Sequence, residues 1–557
     1  MRNNEHIEYR ELMRKSAIAM ILLAFLVSPA GAQQRFYSDD PISREPAKSD
    51  ASKAQMRDID LMYDLAKNLF AVPRDPKLIR AKNINSIDEV PDSDWFTNRI
   101  LAKPLSIEDV IKGPDTGKGP APGNLTITHA KQSGVTPGFT MKDSAGQTWF
   151  VQFDAPGQSE AASGATVVAT KLFYALGYFQ TENHISVLDP KLLVIGDSAK
   201  VDTPSGHVRA MTMGDIKKVL ARADKRPDGT YRILASRGIP GRIIGGFKYA
   251  GMRKDDPNDI VPHEHRRELR ALKVFGAWTN LVDMKAGNTL DTVITENGRT
   301  FIRHYLQDVG STFGTGALAP REWDEGYEYI IEKDKTLSRL VTLGFDLEPW
   351  QTIPYTEYKS IGRFEGDYFK PENWKPRIPT AAMVNARADD NFWAALRVMA
   401  FTDEMIRAVV KAGQYSDPAA EKHLANVLIK RRDKIGQAYL PAVNPLVDFR
   451  LDAPGVLTFD NAAVRAGFAK APQGGYEGRW YRFDNSSGAS TPIGTATVST
   501  DLKMQAPAGL PIDNGEFIKI EVVAVNPPTS TWKIPIQVYF RKVAEGWKLV
   551  GLQRMPD

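Results

Sequence analysis

The chain has 557 residues, 42% hydrophobic and 25% charged, a composition that excludes collagen-like, low-complexity and disulfide-scaffold proteins. Lys and Arg number 72 against 67 Asp and Glu, a formal charge of +5 with no dense basic run, so nothing in the charge points to nucleic acid or an anionic membrane as partner. There is no cysteine, which rules out disulfides, thiol catalysis and a lipid-bearing cysteine.

In chain order, Arg14 and Lys15 precede the apolar run Ala17–Val27, followed by Ser28-Pro29-Ala30-Gly31-Ala32. A positive start, a short apolar core and small residues in A-x-A register predict a cleavable signal peptide over residues 1–32, cut after Ala32. The residues before Met13 add little to this signal, so Met13 is an alternative start. The run is too short to cross a bilayer, which takes roughly 20 helical residues, and no later segment is apolar enough. The mature chain is therefore expected to be periplasmic or secreted, with no transmembrane segment. Residues 33–125 read as a polar tether, Gln33–Lys53, followed by a helical extension. There Ile59, Met62, Tyr63, Ala66, Leu69 and Phe70 recur at helical spacing before Pro73. Lys112–Asn124 is rich in Gly and Pro and reads as a loop. Its Gly113-Pro114-Asp115-Thr116-Gly117-Lys118 is one residue short of a phosphate loop and lacks the Ser/Thr after Lys118, so it is set aside.

Residues 126–200 read as a small α+β lobe. Gly134–Thr140 and Thr148–Phe153 form a hairpin, Glu160–Leu176 a helix closed by Gly177, and His184–Val187 and Leu192–Ile195 short strands. Residues 201–450 read as a helical large lobe, with helices over His263–Leu281, Thr336–Leu343, Asp390–Val409 and Pro418–Gln437. Arg266-Arg267-Glu268 is expected on an exposed helix face. Residues 451–557 carry strands at Phe517–Val525, Ile534–Phe540 and Trp547–Leu552 between Gly, Pro and Asn turns. They are expected to form a separate all-β sandwich. The fold class is thus α+β.

The residues suited to chemistry cluster in one stretch. Asp283-Met284-Lys285-Ala286-Gly287-Asn288 follows an amphipathic helix. It precedes a hairpin, Thr289–Ile294 and Thr300–Tyr305, turned at Glu296-Asn297-Gly298, and then Asp308-Val309-Gly310. A D-x-K-x-x-N element, a hairpin and D-x-G is the order found in protein kinases. The residue types suit phosphoryl transfer: a carboxylate takes the hydroxyl proton, a lysine neutralises the phosphoryl group, and an amide oxygen and second carboxylate hold a cation.

On these motifs the chain resembles atypical, bacterial kinase-fold proteins of the HipA-like and CotH-like kind, over about Gly134 to Gly314. More narrowly it is similar to uncharacterised exported bacterial proteins sharing His263-Glu264-His265-Arg266-Arg267-Glu268-Leu269-Arg270 and His304-Tyr305-Leu306-Gln307-Asp308. The resemblance implies a bilobal kinase-like core, with Asp283 as catalytic base, Lys285 as phosphate-neutralising cation, and Asn288 and Asp308 as metal ligands. It implies Mg2+ or Mn2+ with ATP as cofactors. It also aligns Gln152 with the strand lysine of kinases, Glu160 with the lysine's helix partner, and Gly138 with the one matching glycine of the nucleotide loop. A neutral Gln152 cannot supply the lysine's charge, and Lys142 and Lys171 are the alternatives.

Two functions follow. One is phosphoryl or related group transfer to a protein, peptide or envelope glycan. The other is a pseudokinase-type binding or structural role in the envelope, with the β region docking onto a surface partner or polysaccharide. A third reading gathers His263, His265, His304, Asp283 and Asp308 as a metal-dependent hydrolase site. Asp255-Asp256-Pro257-Asn258-Asp259 reads as an acidic proline turn without EF-hand spacing.

Overall fold

The computed structural model describes residues 34–555 except 47, 48, 73, 132–135, 203–206, 343, 344, 346 and 347. The predicted leader and its cut after Ala32 lie outside the described residues. Two helices come first, α1 (Leu61–Phe70) and α2 (Ile107–Lys112), with Asp60 and Ser106 as their N-caps. Seven strands then form the first sheet: β1 (Leu125–Lys131), β2 (Gly138–Lys142), β3 (Thr148–Phe153), β4 (Asn183–Leu188), β5 (Leu193–Asp202), β6 (Val208–Ala210) and β7 (Tyr231–Arg237). Their order is β4-β7-β3-β2-β1-β5-β6, and only β1 and β5 run parallel. Strand β3 shows why the sheet has two faces. Trp149, Val151 and Phe153 are buried, while Phe150 and Gln152 alternate with them on the exposed side.

The buried face carries Ile127, Phe139, Met141 and Ile233 and is covered by helix α4 (Met213–Leu220) through Ile216 and Val219. Helix α3 (Ala161–Leu176) turns the other way, placing Val168, Leu172 and Phe173 in the core of the helical region. Gly177 closes it at φ 124°. Strand β7 lies within the stretch expected to be helical, between β4 and β3 in the sheet. Its five residues from Tyr231 to Ala235 are all buried, so it has no polar–apolar alternation to mark it as a strand.

The helical region is built around α5 (Arg267–Thr279), which packs on α7 (Ala381–Val384), α8 (Ala388–Met399) and α10 (Pro418–Tyr439). Helix α6 (Lys333–Val341) precedes these, and α9 (Asp403–Lys411) precedes α10. The single helix expected over Asp390–Val409 is two, α8 and α9, because Thr402 caps the second by accepting a hydrogen bond from Met405 N–H. Short strand β8 (Arg242–Ile243) joins the hairpin β9 (Thr289–Glu296) and β10 (Arg299–Leu306). The hairpin's two-residue turn has positive φ at both Asn297 and Gly298, as a type I′ turn requires.

The expected exposed face of Arg266, Arg267 and Glu268 is instead fully buried, with Arg270. Arg267 lies 2.9 Å from Asp390, 3.1 Å from Asp88 and 3.5 Å from Asp389, and Arg270 lies 3.1 Å from Asp390. A run of charges looks solvated in sequence; here distant acids from α8 and the N-terminal extension reach it in the core.

The last strands form two sheets. One is β11 (Leu446–Leu451), β12 (Val456–Asn461) and β16 (Lys503–Gln505). The other is β14 (Ser490–Pro492), β13 (Tyr476–Phe483), β17 (Phe517–Ala524), β18 (Ile536–Val543) and β19 (Gly546–Gln553), with β15 (Thr497–Ser499) also on β13. Leu457, Phe459 and Met504 of the first share one apolar cluster with Trp480, Ile520 and Val538 of the second. That cluster continues into Trp278, Phe401 and Leu428, so the core of this region is continuous with the helices rather than separate from them. The segment read as a tether also packs. Phe36 is 3% exposed against Phe483, Tyr539 and Val550, and Asn485 hydrogen-bonds its backbone N–H and carbonyl, each at 2.8 Å. Among the described residues, no helix is long and apolar enough to cross a membrane.

Candidate functional site

Helix α5 stops at Asn280, whose left-handed backbone (φ 53°) turns the chain out of the helix. Leu281 and Val282 are buried, so Asp283 is delivered from a fixed anchor. A single 3-10 turn over Ala286–Asn288 brings Asn288 back, and its Nδ2 donates to the Asp283 carbonyl at 2.7 Å. The hairpin β9–β10 then returns the chain. The backbone N–H groups of Gln307 and Asp308 both donate to the Asn288 carbonyl at 3.1 Å. The two motifs, separate in sequence, are thereby tied at Asn288.

Lys285 Nζ donates to Asp283 Oδ2 at 2.9 Å, and Gly310 N–H donates to Asp308 Oδ1 at 3.0 Å. Gly310 is required by close approach to α3: a Cβ there would lie 2.5 Å from Thr166 Oγ1. Asp283, Lys285, Asn288, Asp308 and Gly310 line one cleft of about 380 Å3. The segment leading into β2, strand β3 and helix α3 supply its other wall through Thr136, Gln152, Ser163 and Thr166.

The carboxylates differ electrically. Burial pushes Asp283 up, but the Lys285 ammonium, by hydrogen bond and charge, and the Arg321 charge more than offset it, leaving its pKa below the ordinary value. Asp308 opens to the cleft, yet crowding by the walls raises its pKa, and the nearby Asp283 charge adds to the rise against the Gly310 N–H. The site is a pair of unlike carboxylates beside cations.

Two of those cations had no sequence signal. Arg321 and Arg377 line the far side of the cleft, and Glu325 lies 3.5 Å from each. Arg321 Nη2 donates to Ser311 Oγ at 2.6 Å and its Nε to the Thr315 carbonyl at 3.3 Å. They follow D-x-G at distances no motif fixes, so only the folded chain reveals them.

The structure brings Gln152 into the cleft but not the other two residues aligned with nucleotide-binding positions. Gly138 pairs with Gln152 across the β2–β3 ladder, where a Cβ would sit 2.3 Å from the Val151 carbonyl; its role is strand approach. Glu160 Oε2 instead accepts from Ser416 N–H at 2.8 Å and Ser416 Oγ at 3.1 Å, latching α3 to the loop before α10. Beside that latch, buried Arg232 donates to the Gly413 carbonyl at 2.6 Å, the Gln414 carbonyl at 2.8 Å and Ser163 Oγ at 2.8 Å. Lys171 is buried against Asp115 at 2.8 Å, and exposed Lys142 does not line the cleft.

The histidines expected of a hydrolase site sit elsewhere. His304 Nδ1 lies 2.7 Å from Asp291 and its ring stacks on Trp95 at 3.5 Å. His263 Nε2 lies 2.8 Å from Asp259, and His265 Nδ1 accepts from Arg270 at 2.9 Å. Asp256 and Asp259 of the acidic proline turn face these histidines, and Asp255 pairs with Arg57 at 3.1 Å, so that turn is spent on internal pairs. Asp283 and Asp308 are not gathered with these histidines in any three-membered ligand cluster among the described residues.

No protein-family model matches the chain, and no curated protein matches it. Among solved structures it is similar to the golgi casein kinase, at 10% identity and a TM-score of 0.28, over 72% of this chain and 96% of that one. It is also similar to the Golgi casein kinase with Mn/ADP bound, at 9% identity and a TM-score of 0.27, over 71% of this chain and 95% of that one. Likeness at this level carries no argument about chemistry, which rests on the residues of the cleft.

Proposed function

We propose that the chain is a kinase-like protein of the atypical, HipA-like and CotH-like kind. In this reading it has a bilobal core and a C-terminal β-sandwich, and it transfers a phosphoryl group from a nucleotide to a hydroxyl acceptor. The observation that carries the proposal is the convergence of Asp283, Lys285, Asn288 and Asp308, with Arg321, on one cleft beside β3 and α3.

The donor set fits a divalent cation such as Mg2+ or Mn2+. Asn288 commits its Nδ2 to the Asp283 carbonyl, which leaves Oδ1 as its ligand atom, and Asp308 is a crowded carboxylate whose pKa is raised by burial and, to a lesser degree, by the Asp283 charge. Asn288 and Asp308 would hold the cation, which supplies positive charge to the nucleotide phosphates. Lys285 and Arg321 neutralise charge on the transferred group, and Arg321 takes the electrostatic part that Gln152 cannot. Asp283 orients the acceptor hydroxyl and takes its proton. The bond from phosphorus to the acceptor oxygen forms as the bond to the nucleotide's leaving oxygen breaks. The Lys285 ammonium holds Asp283 ionised; drawing Lys285 onto a phosphate frees that carboxylate as a base.

The sequence of residues 14–32 supports export, and with it an envelope protein or glycan as acceptor, docked in part by the β region. Gln152 supports a second reading, in which the cleft binds nucleotide without turnover. Self-phosphorylation and ATP hydrolysis by the chain from Gln33, with Mg2+ or Mn2+, decide between them. The transferase loses turnover at least 100-fold in Asp283→Asn while nucleotide affinity changes less than about threefold. Nucleotide binding with no turnover in the wild type selects the second reading, and full turnover in Asp283→Asn removes Asp283 as the base.

A further inference from the structure

Apart from the cleft, three ligand-bearing side chains converge: Asp115 from the loop after α2, and Glu182 and His184 from the start of β4. One ligand atom from each lies within 4.8 Å of the others. His184 Nε2 is 3.5 Å from Glu182 Oε2 and 4.0 Å from Asp115 Oδ1. Neither His184 Nε2 nor Asp115 Oδ1 has a hydrogen-bond partner, although both atoms are shielded from solvent and the His184 side chain is only 11% exposed.

The outer contacts explain why these atoms point at one another. Asp115 Oδ2 accepts from Lys171 Nζ at 2.8 Å. Glu182 Oε1 accepts from Thr116 Oγ1 at 2.6 Å and Arg237 Nη1 at 3.0 Å, and its Oε2 accepts from Thr116 N–H at 3.0 Å. Each carboxylate is held from behind by a cation, and the remaining lone pairs face His184. With the His184 proton on Nδ1, three lone-pair donors meet at one point and repel one another unless a cation or a water sits between them. Donors that grip the outer oxygens of carboxylate ligands are how proteins orient metal sites. A cavity of about 600 Å3, sharing no lining residue with the candidate phosphoryl-transfer cleft, opens beside Asp115 and His184.

We propose that Asp115, Glu182 and His184 form a second, separate metal site for a first-row transition ion, with Zn2+ the best match. An imidazole with two carboxylates suits Zn2+ better than Mg2+ or Ca2+, which take oxygen ligands alone. Three protein ligands leave one position open toward the cavity. The ion pins the loop 112–124 to β4 and, through Asp115 and Lys171, to α3. The inference does not depend on the proposed kinase-like chemistry.

The test is titration of Zn2+ into the metal-stripped chain from Gln33 in competition with a chromophoric chelator. Co2+ absorption reports imidazole ligation in parallel. The expected result is one tight saturable site, apart from weaker binding at the cleft, weakened at least tenfold by His184→Ala and by Glu182→Gln and unchanged by Asp308→Ala, with the Co2+ spectrum altered in His184→Ala. Glu182→Gln keeps the side chain's shape and one acceptor oxygen for Thr116 while removing the charge, so it decides the matter if His184→Ala fails to fold. The absence of saturable binding in the folded wild type, or binding that survives Glu182→Gln intact, overturns the site and assigns the gap to an ordered water.

Discussion

Asp308 and Asp283 sit on the same cleft yet are pushed in opposite directions, Asp308 up by crowding and by its neighbour's charge, Asp283 down by Lys285 against the pull of burial. A carboxylate must be ionised to ligate a cation, so metal-dependent nucleotide affinity should fall with acidification at a higher pH than an ordinary Asp would impose. Asp308→Asn should remove that acid limb with the binding. Arg321 makes a prediction of a different kind. Loss of one charge-assisted phosphate contact is worth about a tenfold rise in nucleotide Kd. Arg321→Gln should show that rise while leaving the cleft's affinity for Mn2+ alone nearly unchanged. An equal loss of both would make Arg321 structural. His304 gives a prediction about stability. Burial lowers its pKa, but Asp291, Asp256 and Asp259 overcome that and lift it from 6.5 to about 9. A raised histidine stabilises fully below its unfolded value and loses that contribution as pH climbs through the folded one. On the order of 3 kcal/mol should therefore vanish between about pH 6.5 and 9. A Tm falling across that window in the wild type, and flat and lower in His304→Gln, would agree; a wild-type Tm that holds to about pH 9.5 would not.

At the scale of elements, the hairpin β9–β10 and helix α3 were legible because each carries a strong local signal: Asn297-Gly298 between apolar strands, and an apolar run closed by Gly177. That Asp283, Lys285, Asn288 and Asp308 come to one cleft was legible for the same reason, since the order D-x-K-x-x-N, hairpin, D-x-G is local. Strand β7 was not, because a strand buried on both faces has no period to read. Nor was the burial of Arg266, Arg267 and Glu268, whose partners come from remote segments. Arg321, Arg377 and the Glu160–Ser416 latch are likewise products of tertiary contact. Helix α5 illustrates the consequence. Arg267→Ala takes one buried cation from Asp88, Asp389 and Asp390 together, leaving them to Arg80, Arg387 and Arg270 in turn, a loss of roughly 3 kcal/mol. Chemical denaturation should show that loss, whereas a solvated face would register under about 0.5 kcal/mol.

At the scale of the molecule, one apolar cluster runs from the helices into both C-terminal sheets, and Phe36 binds the N-terminal segment onto the far strands. The β region is thus mechanically coupled to the part that carries Asp283 and Asp308. Phe36→Ala should cost about 3–5 kcal/mol locally, because its ring fills the space over Gly551 between Phe483 and Tyr539. Limited proteolysis would report this as early cutting within residues 34–46, while an unchanged pattern would restore the tether reading. Everything proposed about chemistry nevertheless turns on whether the cleft holds nucleotide phosphates through a cation. Titration calorimetry of the chain from Gln33 with ATP and Mg2+ or Mn2+, beside Asp308→Ala, tests that most directly. The prediction is metal-dependent binding that disappears in Asp308→Ala while its fold and Tm are kept. A folded wild type that binds no nucleotide, or an Asp308→Ala variant that binds as the wild type does, would contradict it.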